Sequence, residues 1–92
     1  MYNRFAAARR RYLHAHMDGI YTGMLLTETL EPHLAEIGES AQAMFDRIVE
    51  QMKKAEAVTE QLKAAGQMEW VGRMNNIRQR AEEIVLHDLI YN

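Results

Sequence analysis

Histidines and carboxylates at helical spacing come closest to a metal-binding pattern in this chain. His33 and Glu36 lie three residues apart, and Glu83 and His87 lie four apart, so each pair would share one helix face. Carboxylate-bridged metal centres in helical bundles need two glutamate-x-x-histidine motifs and two further inward glutamates. No glutamate here lies three residues before a histidine. We therefore expect no metal centre and no cofactor.

Residues for covalent catalysis are scarcer still. The chain contains no cysteine, and its one serine, Ser40, lies in a polar stretch without the strand-turn-helix context of a nucleophilic serine. No glycine-rich phosphate loop or dinucleotide-binding fingerprint occurs either. The sequence therefore predicts a protein that is not an enzyme.

Four arginines near the amino terminus are the best candidates for binding nucleic acid or an acidic partner. They are Arg4, Arg9, Arg10 and Arg11. Residues 1–17 carry these four and no acid, a balance of +4, whereas the remainder holds 7 basic residues (11 minus 4) against 13 acids, a balance of -6. On a helix such a patch would contact about three or four phosphates. The sequence pI of about 6.1 and the lack of a base-reading motif favour the alternative, in which these arginines are simply solvated.

A polar strip in the final third of the chain is a candidate protein interface. Its members are Gly72, Asn75, Asn76 and Gln79. Two adjacent asparagines are a poor choice for helix propensity alone. A small residue beside amides would let another helix approach closely and form hydrogen bonds across the contact. The alternative is a solvated helix face.

The elements that must position these residues are helices, because no alternating run is long enough to indicate a strand. We predict one domain, residues 1–92, with basic amino-terminal helices in 1–27, a long helix in 29–65 and a carboxy-terminal helix in 67–90. The end of the long helix has two interpretations, since it either stops near Ala57 or continues to Ala65.

Capping and helix-breaking residues set these bounds. The expected caps are the side chains of Asn3, Asp18 and either Thr29 or Glu31. Pro32 fits the first turn of the long helix, where a missing backbone donor costs nothing. Gly38 indicates a bend within that helix, and Gly66 a stop before the last one.

A heptad seam runs along the long helix. Its positions are Leu30, Leu34, Ile37, Ala41, Met44, Ile48, Gln51, Ala55, Val58 and Leu62. The carboxy-terminal helix shows a matching apolar face, on which only the last position is polar. That face comprises Trp70, Val71, Met74, Ile77, Ala81, Ile84, Val85 and Asp88. We predict an all-α fold, an elongated hairpin or bundle of three to four helices with heptad-like packing between the long and carboxy-terminal helices.

The length of the seam predicts a partner. A helix of about 26 residues spans about 39 Å, whereas a compact globule of this chain length is about 30 Å across. One chain cannot cover such a helix along its whole length, so we expect a homo-dimer.

The run WVGRMNNIRQRAEEI resembles the TnpV family of small transposon-encoded bacterial proteins. The resemblance is carried by Trp70, Gly72, Met74, Asn75, Asn76, Ile77 and Arg78, and it extends over roughly residues 10 to 92. It implies residence beside recombination and mobilisation genes. We expect an interaction protein of a mobile genetic element whose partner is a transposase or recombinase, or a host defence nuclease that it inhibits. The alternative is an excisionase-like DNA-binding regulator that uses the arginine cluster. Longer family members look as though they begin with a short segment that this chain lacks.

The length of the apolar stretches bears on the cellular location of the protein. None reaches the roughly 18 residues that a membrane span needs, and the arginine-bearing start lacks the apolar region of a signal peptide. The absence of cysteine agrees with a reducing compartment. We therefore expect a cytoplasmic protein without a membrane partner.

Overall fold

The computed structural model describes residues 2–92, which form five α-helices and a closing π-helical turn. The helices are α1 (Arg4–His16), α2 (Asp18–Leu26), α3 (Leu30–Ala55), α4 (Glu60–Ala65) and α5 (Gln67–Val85), followed by the π turn (Leu86–Ile90). This part of the chain contains no strand and measures 55 × 21 × 18 Å. The predictions of an all-α and elongated fold are confirmed. No helix in the described range is long and apolar enough to cross a bilayer.

The start of α1 follows the sequence prediction, and that of α2 does not. Asn3 caps α1, because its Oδ1 accepts a hydrogen bond from the Ala6 amide at 2.9 Å. Phe5 and Leu13 are the large apolar residues that α1 buries completely. The prediction that Asp18 caps α2 is wrong. Met17 holds the capping position without a side-chain bond, and Asp18 is already the first residue of the helix.

The long helix α3 begins at Leu30, so that Pro32 falls in its first turn as predicted. Thr29 precedes α3 without a side-chain cap, and its hydroxyl instead lies 2.9 Å from that of Thr27. Gly38 is buried where α1 crosses α3. A Cβ atom at this position would lie 2.9 Å from Asn3 Oδ1 and 3.1 Å from the Ala6 Cβ. Close approach of a neighbouring helix therefore explains this glycine.

The interpretation in which the long helix continues to Ala65 is wrong, because α3 ends at Ala55. Ala57 takes a left-handed conformation with φ of 54°. Its amide and that of Val58 donate to the carbonyls of Lys54 and Lys53, the hydrogen-bond pattern of a Schellman motif. Burial of Val58 holds this turn in place. Thr59 then caps α4, its hydroxyl accepting from the Leu62 amide at 3.2 Å.

The core follows α3 from end to end, but α3 changes partner along its length. Leu30 and Leu34 pack with Ala6 and Leu13 of α1. The central cluster joins α1, α3 and the end of the chain through Phe5, Ala8, Ala41, Val85 and Ile90. The last cluster joins α3, its following turn and α5 through Val49, Val58, Met74, Ile77 and Ala81. The long helix therefore packs against the carboxy-terminal helix from its middle to its end, and its first turns pack against α1 instead.

Several predicted seam residues are less buried than expected. Ile37, Met44, Ile48 and Trp70 are half-buried against the core clusters. Gln51, Ala55, Val71 and Asp88 are exposed, and Ile84 of the predicted apolar face is 38% exposed, so it lies outside the core of the single chain. The physical reason is the thin cross-section of the rod. Helices α3 and α4 together cover only a narrow stripe of α5, which Met74, Ile77, Ala81 and Val85 fill.

The last turn of the chain is wider than an α-helix. The Tyr91 amide donates to the Leu86 carbonyl five residues earlier, at 2.8 Å. In an uninterrupted α-helix Ile90 would lie about 140° around the axis from Val85. The wider winding advances each residue through a smaller angle, and Ile90 is completely buried beside Val85. The predicted helix 67–90 thus ends in a π turn that returns the chain to the core.

Candidate functional site

Arg4, at the first position of α1, extends across to α5. Its Nε donates to Glu82 Oε1 at 3.3 Å. Its guanidinium carbon lies 4.5 Å from the centre of the Phe5 ring and 4.7 Å from that of Phe45. Two aromatic rings and one carboxylate therefore hold this cation in a fixed position, while about half of its side chain stays exposed.

Arg9 fastens the carboxy-terminal backbone to α1. Its Nη1 donates to the carbonyl of Ile90 at 2.7 Å and to that of Asn92 at 3.0 Å. Its Nε donates to His33 Nε2 at 3.3 Å. The pKa of His33 lies below its ordinary value. The larger cause is burial, which disfavours the charged imidazolium, and the second is the positive charge of Arg9. These contacts give Arg9 a structural role.

Arg10 and Arg11 differ in their surroundings. Arg10 Nη1 lies 3.6 Å from Glu31 Oε1. Hydrogen bonding to Tyr2, the largest cause, and to Tyr21 raises the pKa of the Arg10 guanidinium. Within residues 2–92, Arg11 forms no ion pair and is exposed. The four predicted arginines therefore do not form one free patch. Their long side chains reach different acceptors, and sequence spacing alone cannot specify those acceptors.

The structure brings two sets of predicted site residues together in one groove. Arg4 of the arginine cluster meets Asn75 and Gln79 of the polar strip, and Phe45 of α3 lies between them. The lining residues are Arg4, Phe45, Asn75, Arg78, Gln79 and Glu82, and the groove has a volume of about 550 Å³. Its walls are the start of α1, the middle of α3 and the outer face of α5.

Arg78 is the groove residue that the analysis of the interface strip missed. In α5 it lies four residues before Glu82, at a spacing that predicts an ion pair between them. Glu82 instead pairs with Arg4. In the described part of the chain Arg78 consequently has no carboxylate partner. The spacing of Asn75, Arg78 and Gln79 at three and four residues places them on one helix face, which is the signal that could have identified Arg78.

The groove, which we call the Arg4–Arg78 groove, is rich in hydrogen-bond donors. Two guanidinium groups and two carboxamides lie next to an aromatic ring, against a single carboxylate. Guanidinium groups bind carboxylates in a bidentate manner, and carboxamides can bind peptide backbone. The arrangement suits a protein segment that presents an acidic side chain beside an apolar one.

The remaining members of the polar strip lie outside this groove. Gly72 is exposed, and a Cβ atom there would have nothing within 4 Å. Asn76 accepts a hydrogen bond from Arg80 Nε at 2.8 Å, and Arg80 Nη2 donates to both carboxylate oxygens of Glu56. Asn76 therefore supports the connection between α3 and α5, and Gly72 offers an open surface.

Apolar side chains are exposed towards both ends of the rod. Helix α2 contains no buried residue, and its Leu26 is 79% exposed. Met68, near the start of α5, is 86% exposed. Helix α2 packs beside Leu30 and Leu34 at the start of α3, whereas Trp70 of α5 packs beside Val49 near its other end. The two patches therefore lie towards opposite ends of the rod. Both patches could bind another surface.

The two histidines considered as metal ligands have other partners. His33 accepts from Arg9, and His87 Nδ1 lies 3.0 Å from Asp88 Oδ1. Within the described range, no three histidine or acidic residues lie close enough together to hold a metal ion.

The family model described as transposon-encoded protein TnpV matches residues 1–90 of the 92-residue chain. No curated protein and no solved structure matches this chain.

Proposed function

We propose that this chain, which belongs to the TnpV family of transposon-encoded proteins, is a non-enzymatic accessory protein of a mobile genetic element that acts by binding another protein. The partner is a recombinase of the same element, or a host defence nuclease that the chain inhibits. Both partners would be met in the cytoplasm. The family description supports the mobile-element role, and the contacts with a partner are our own inference.

The observation that carries this proposal is the Arg4–Arg78 groove. Arg4 already contacts Phe5, Phe45 and Glu82 in the free chain, and these contacts lower the side-chain entropy that binding would cost. Arg78 is exposed beside it without a carboxylate partner in the described residues. A fixed cation next to an available one suits a partner that inserts an acidic side chain.

Substitutions in the groove test this proposal. The bait is the purified chain, and the target is the recombinase encoded next to it or a candidate nuclease. We expect Arg78→Ala, and Asn75→Ala combined with Gln79→Ala, each to weaken binding about tenfold or more, as is typical for the central residues of an interface. Arg47→Ala is the matched control, because Arg47 is also exposed and lies about 160° around α3 from Phe45.

Circular dichroism establishes that each variant is folded. Unchanged affinity of a folded Arg78→Ala, Asn75→Ala, Gln79→Ala triple variant for a partner that the unmodified chain binds would refute the role of the groove.

Self-association is the second part of the proposal. Exposed apolar residues support a homo-dimer, because contiguous exposed apolar surface can mark a protein interface. They are Ile20, Leu25 and Leu26 in α2 and Met68 and Val71 at the start of α5. Light scattering at micromolar concentration should give 21.4 kDa, twice the chain mass of 10.7 kDa. Leu26→Gln should return the mass to 10.7 kDa if α2 forms the interface, and Met68→Gln should do so if α5 does. A monodisperse monomer of the unmodified chain excludes the dimer.

The alternative function, a small DNA-binding regulator using Arg4, Arg9, Arg10 and Arg11, has less support. Three of these guanidinium groups contact acceptors within the chain, and their contacts would have to be broken for phosphate binding. Retention on duplex DNA that falls when Arg9, Arg10 and Arg11 are all replaced by alanine would favour this alternative.

A further inference from the structure

A cavity on the second half of α1 has a composition unlike that of the Arg4–Arg78 groove. It is lined by Ala8, Arg11, Tyr12, Ala15, His16 and Tyr91 and has a volume of about 450 Å³, within the range of about 300–1,000 Å³ typical of ligand sites. Ala8 and Ala15 lie two helical turns apart, and their short side chains leave the space. Aromatic rings form its walls, and none of its lining residues is acidic.

The rings of this cavity contact one another and Arg9. Tyr12 packs against Tyr91 with ring centres 5.5 Å apart and against His16 at 5.2 Å. Arg9 lies 5.7 Å from the centre of the Tyr12 ring and binds the backbone carbonyls on both sides of Tyr91. The Tyr91 side chain is nevertheless 52% exposed. An incoming flat ring could therefore stack on a tyrosine whose backbone is already fixed.

A second cavity of about 430 Å³ lies next to the first and shares Arg11 and Ala15 with it. His14 and Tyr21 meet there edge to face, with ring centres 4.8 Å apart. The neighbouring carboxylate, Glu31, faces Arg10 at 3.6 Å. Arg11 is thus an exposed cation between two aromatic-lined cavities, and it has no ion pair within the described residues.

We propose that the α1 surface around Arg11 binds single-stranded nucleic acid, with a phosphate on Arg11 and bases stacked against Tyr91 and Tyr21 on either side. Cation and aromatic groups in alternation are the elements that bind single strands without sequence preference. A duplex would require a row of available cations and keeps its bases stacked inside. This site lies away from the Arg4–Arg78 groove and goes beyond the protein-binding function.

Fluorescence anisotropy of a labelled ten-nucleotide thymidine strand tests the proposal. We expect binding at low salt that weakens with rising salt, with a slope of about -0.7 for each phosphate neutralised. Arg11→Gln should lower the affinity and make this slope shallower by about 0.7. Arg47→Gln removes the same charge from an exposed position on α3 and should leave binding unchanged.

Stacking of a base on Tyr91 is tested by separate variants and ligands. Tyr91→Leu should weaken binding about fivefold or more, because stacking of one base on an aromatic side chain contributes about 1–3 kcal/mol. Tyr91→Phe keeps the ring and should restore most of the affinity. A strand of equal charge that lacks bases should bind more weakly than the thymidine strand, and so should a duplex of the same length.

Failure of the unmodified chain to bind the strand at low salt overturns the proposal, as does equal binding of the baseless strand or of polyglutamate. The two proposals can be distinguished. Arg78→Ala should leave strand binding intact, and Arg11→Gln should leave binding of the protein partner intact.

Discussion

The side chain of Asn3 connects two helices through both ends of its carboxamide. Its Oδ1 accepts from the Ala6 amide at 2.9 Å and caps α1, while its Nδ2 donates to the carbonyl of Gly38 in α3, also at 2.9 Å. One residue therefore sets where α1 begins and where it crosses α3. Arg4 and the groove it lines follow immediately in the chain.

Replacing Asn3 tests this double role. Asn3→Ala should lower the free energy of unfolding by about 1–2 kcal/mol, since a lost cap costs about 0.5–2 kcal/mol and a second hydrogen bond is lost with it. Asn3→Asp keeps the cap but not the donor, so we expect an intermediate loss. Urea unfolding followed by circular dichroism measures both. Full stability of Asn3→Asp would mean that the bond to Gly38 contributes nothing.

Two glycines in helices should respond in opposite directions to alanine. Gly72→Ala should stabilise the protein by about 0.8–1.0 kcal/mol, because alanine has the higher helix propensity and the new Cβ meets nothing within 4 Å. Gly38→Ala should destabilise it, because the new Cβ would meet Asn3 Oδ1 at 2.9 Å and the Ala6 Cβ at 3.1 Å. Thermal unfolding of the two variants decides this. Equal gains would show that α1 does not approach α3 as described.

The turn after α3 should accept glycine. Ala57 has a φ of 54°, a conformation that costs an L-residue about 1–2 kcal/mol and glycine almost nothing. Glycine also raises the conformational entropy of the unfolded chain, which offsets part of this gain. We therefore expect Ala57→Gly to raise the free energy of unfolding by about 0.5–1 kcal/mol. Ala55→Gly, at the last residue of α3 and two residues away, should instead destabilise it by up to about 1 kcal/mol. The same sign for both variants in urea unfolding contradicts the prediction.

Stability should fall in mild acid because of His33. Burial and the charge of Arg9 lower its pKa from the ordinary value of 6.5, and nearby Glu36 acts in the opposite direction. The folded chain therefore binds a proton on His33 less readily than the unfolded chain does. The stabilising contribution is fully present above pH 6.5 and is lost as the pH falls through the lowered pKa.

Urea midpoints at pH 7.5 and pH 5 measure this effect. His33→Gln keeps an acceptor for Arg9 but has no proton to gain, so its stability should change less between the two pH values. Other groups that titrate in this range are common to both proteins and cancel in the comparison. An identical pH dependence in the variant would exclude His33 as the cause.

Local signals made several helix starts and stops predictable. Asn3, Pro32 and Gly66 mark helix ends because capping and missing donors depend on neighbouring residues alone. The break after Ala55 carried no such signal, since an alanine takes the left-handed position that glycine usually fills. Burial of Val58 against α5 selects this turn, and burial is decided by parts of the chain distant in sequence.

The candidate site was predictable in its members but not in its assembly. Spacing placed Asn75 and Gln79 on one exposed face of the last helix, and composition singled out Arg4. That Glu82 pairs with Arg4, 78 residues away, and not with the nearby Arg78 follows from the packing of α1 across α3. Helical spacing contains no information about that crossing.

The extended outline, 55 Å in one direction against 21 and 18 Å in the others, affects how the molecule moves in solution. A rod encounters more friction than a sphere of equal mass and elutes earlier from a gel-filtration column. A single copy would therefore mimic a heavier species there, and techniques that weigh particles, such as sedimentation equilibrium or native mass spectrometry, are the ones suited to counting chains.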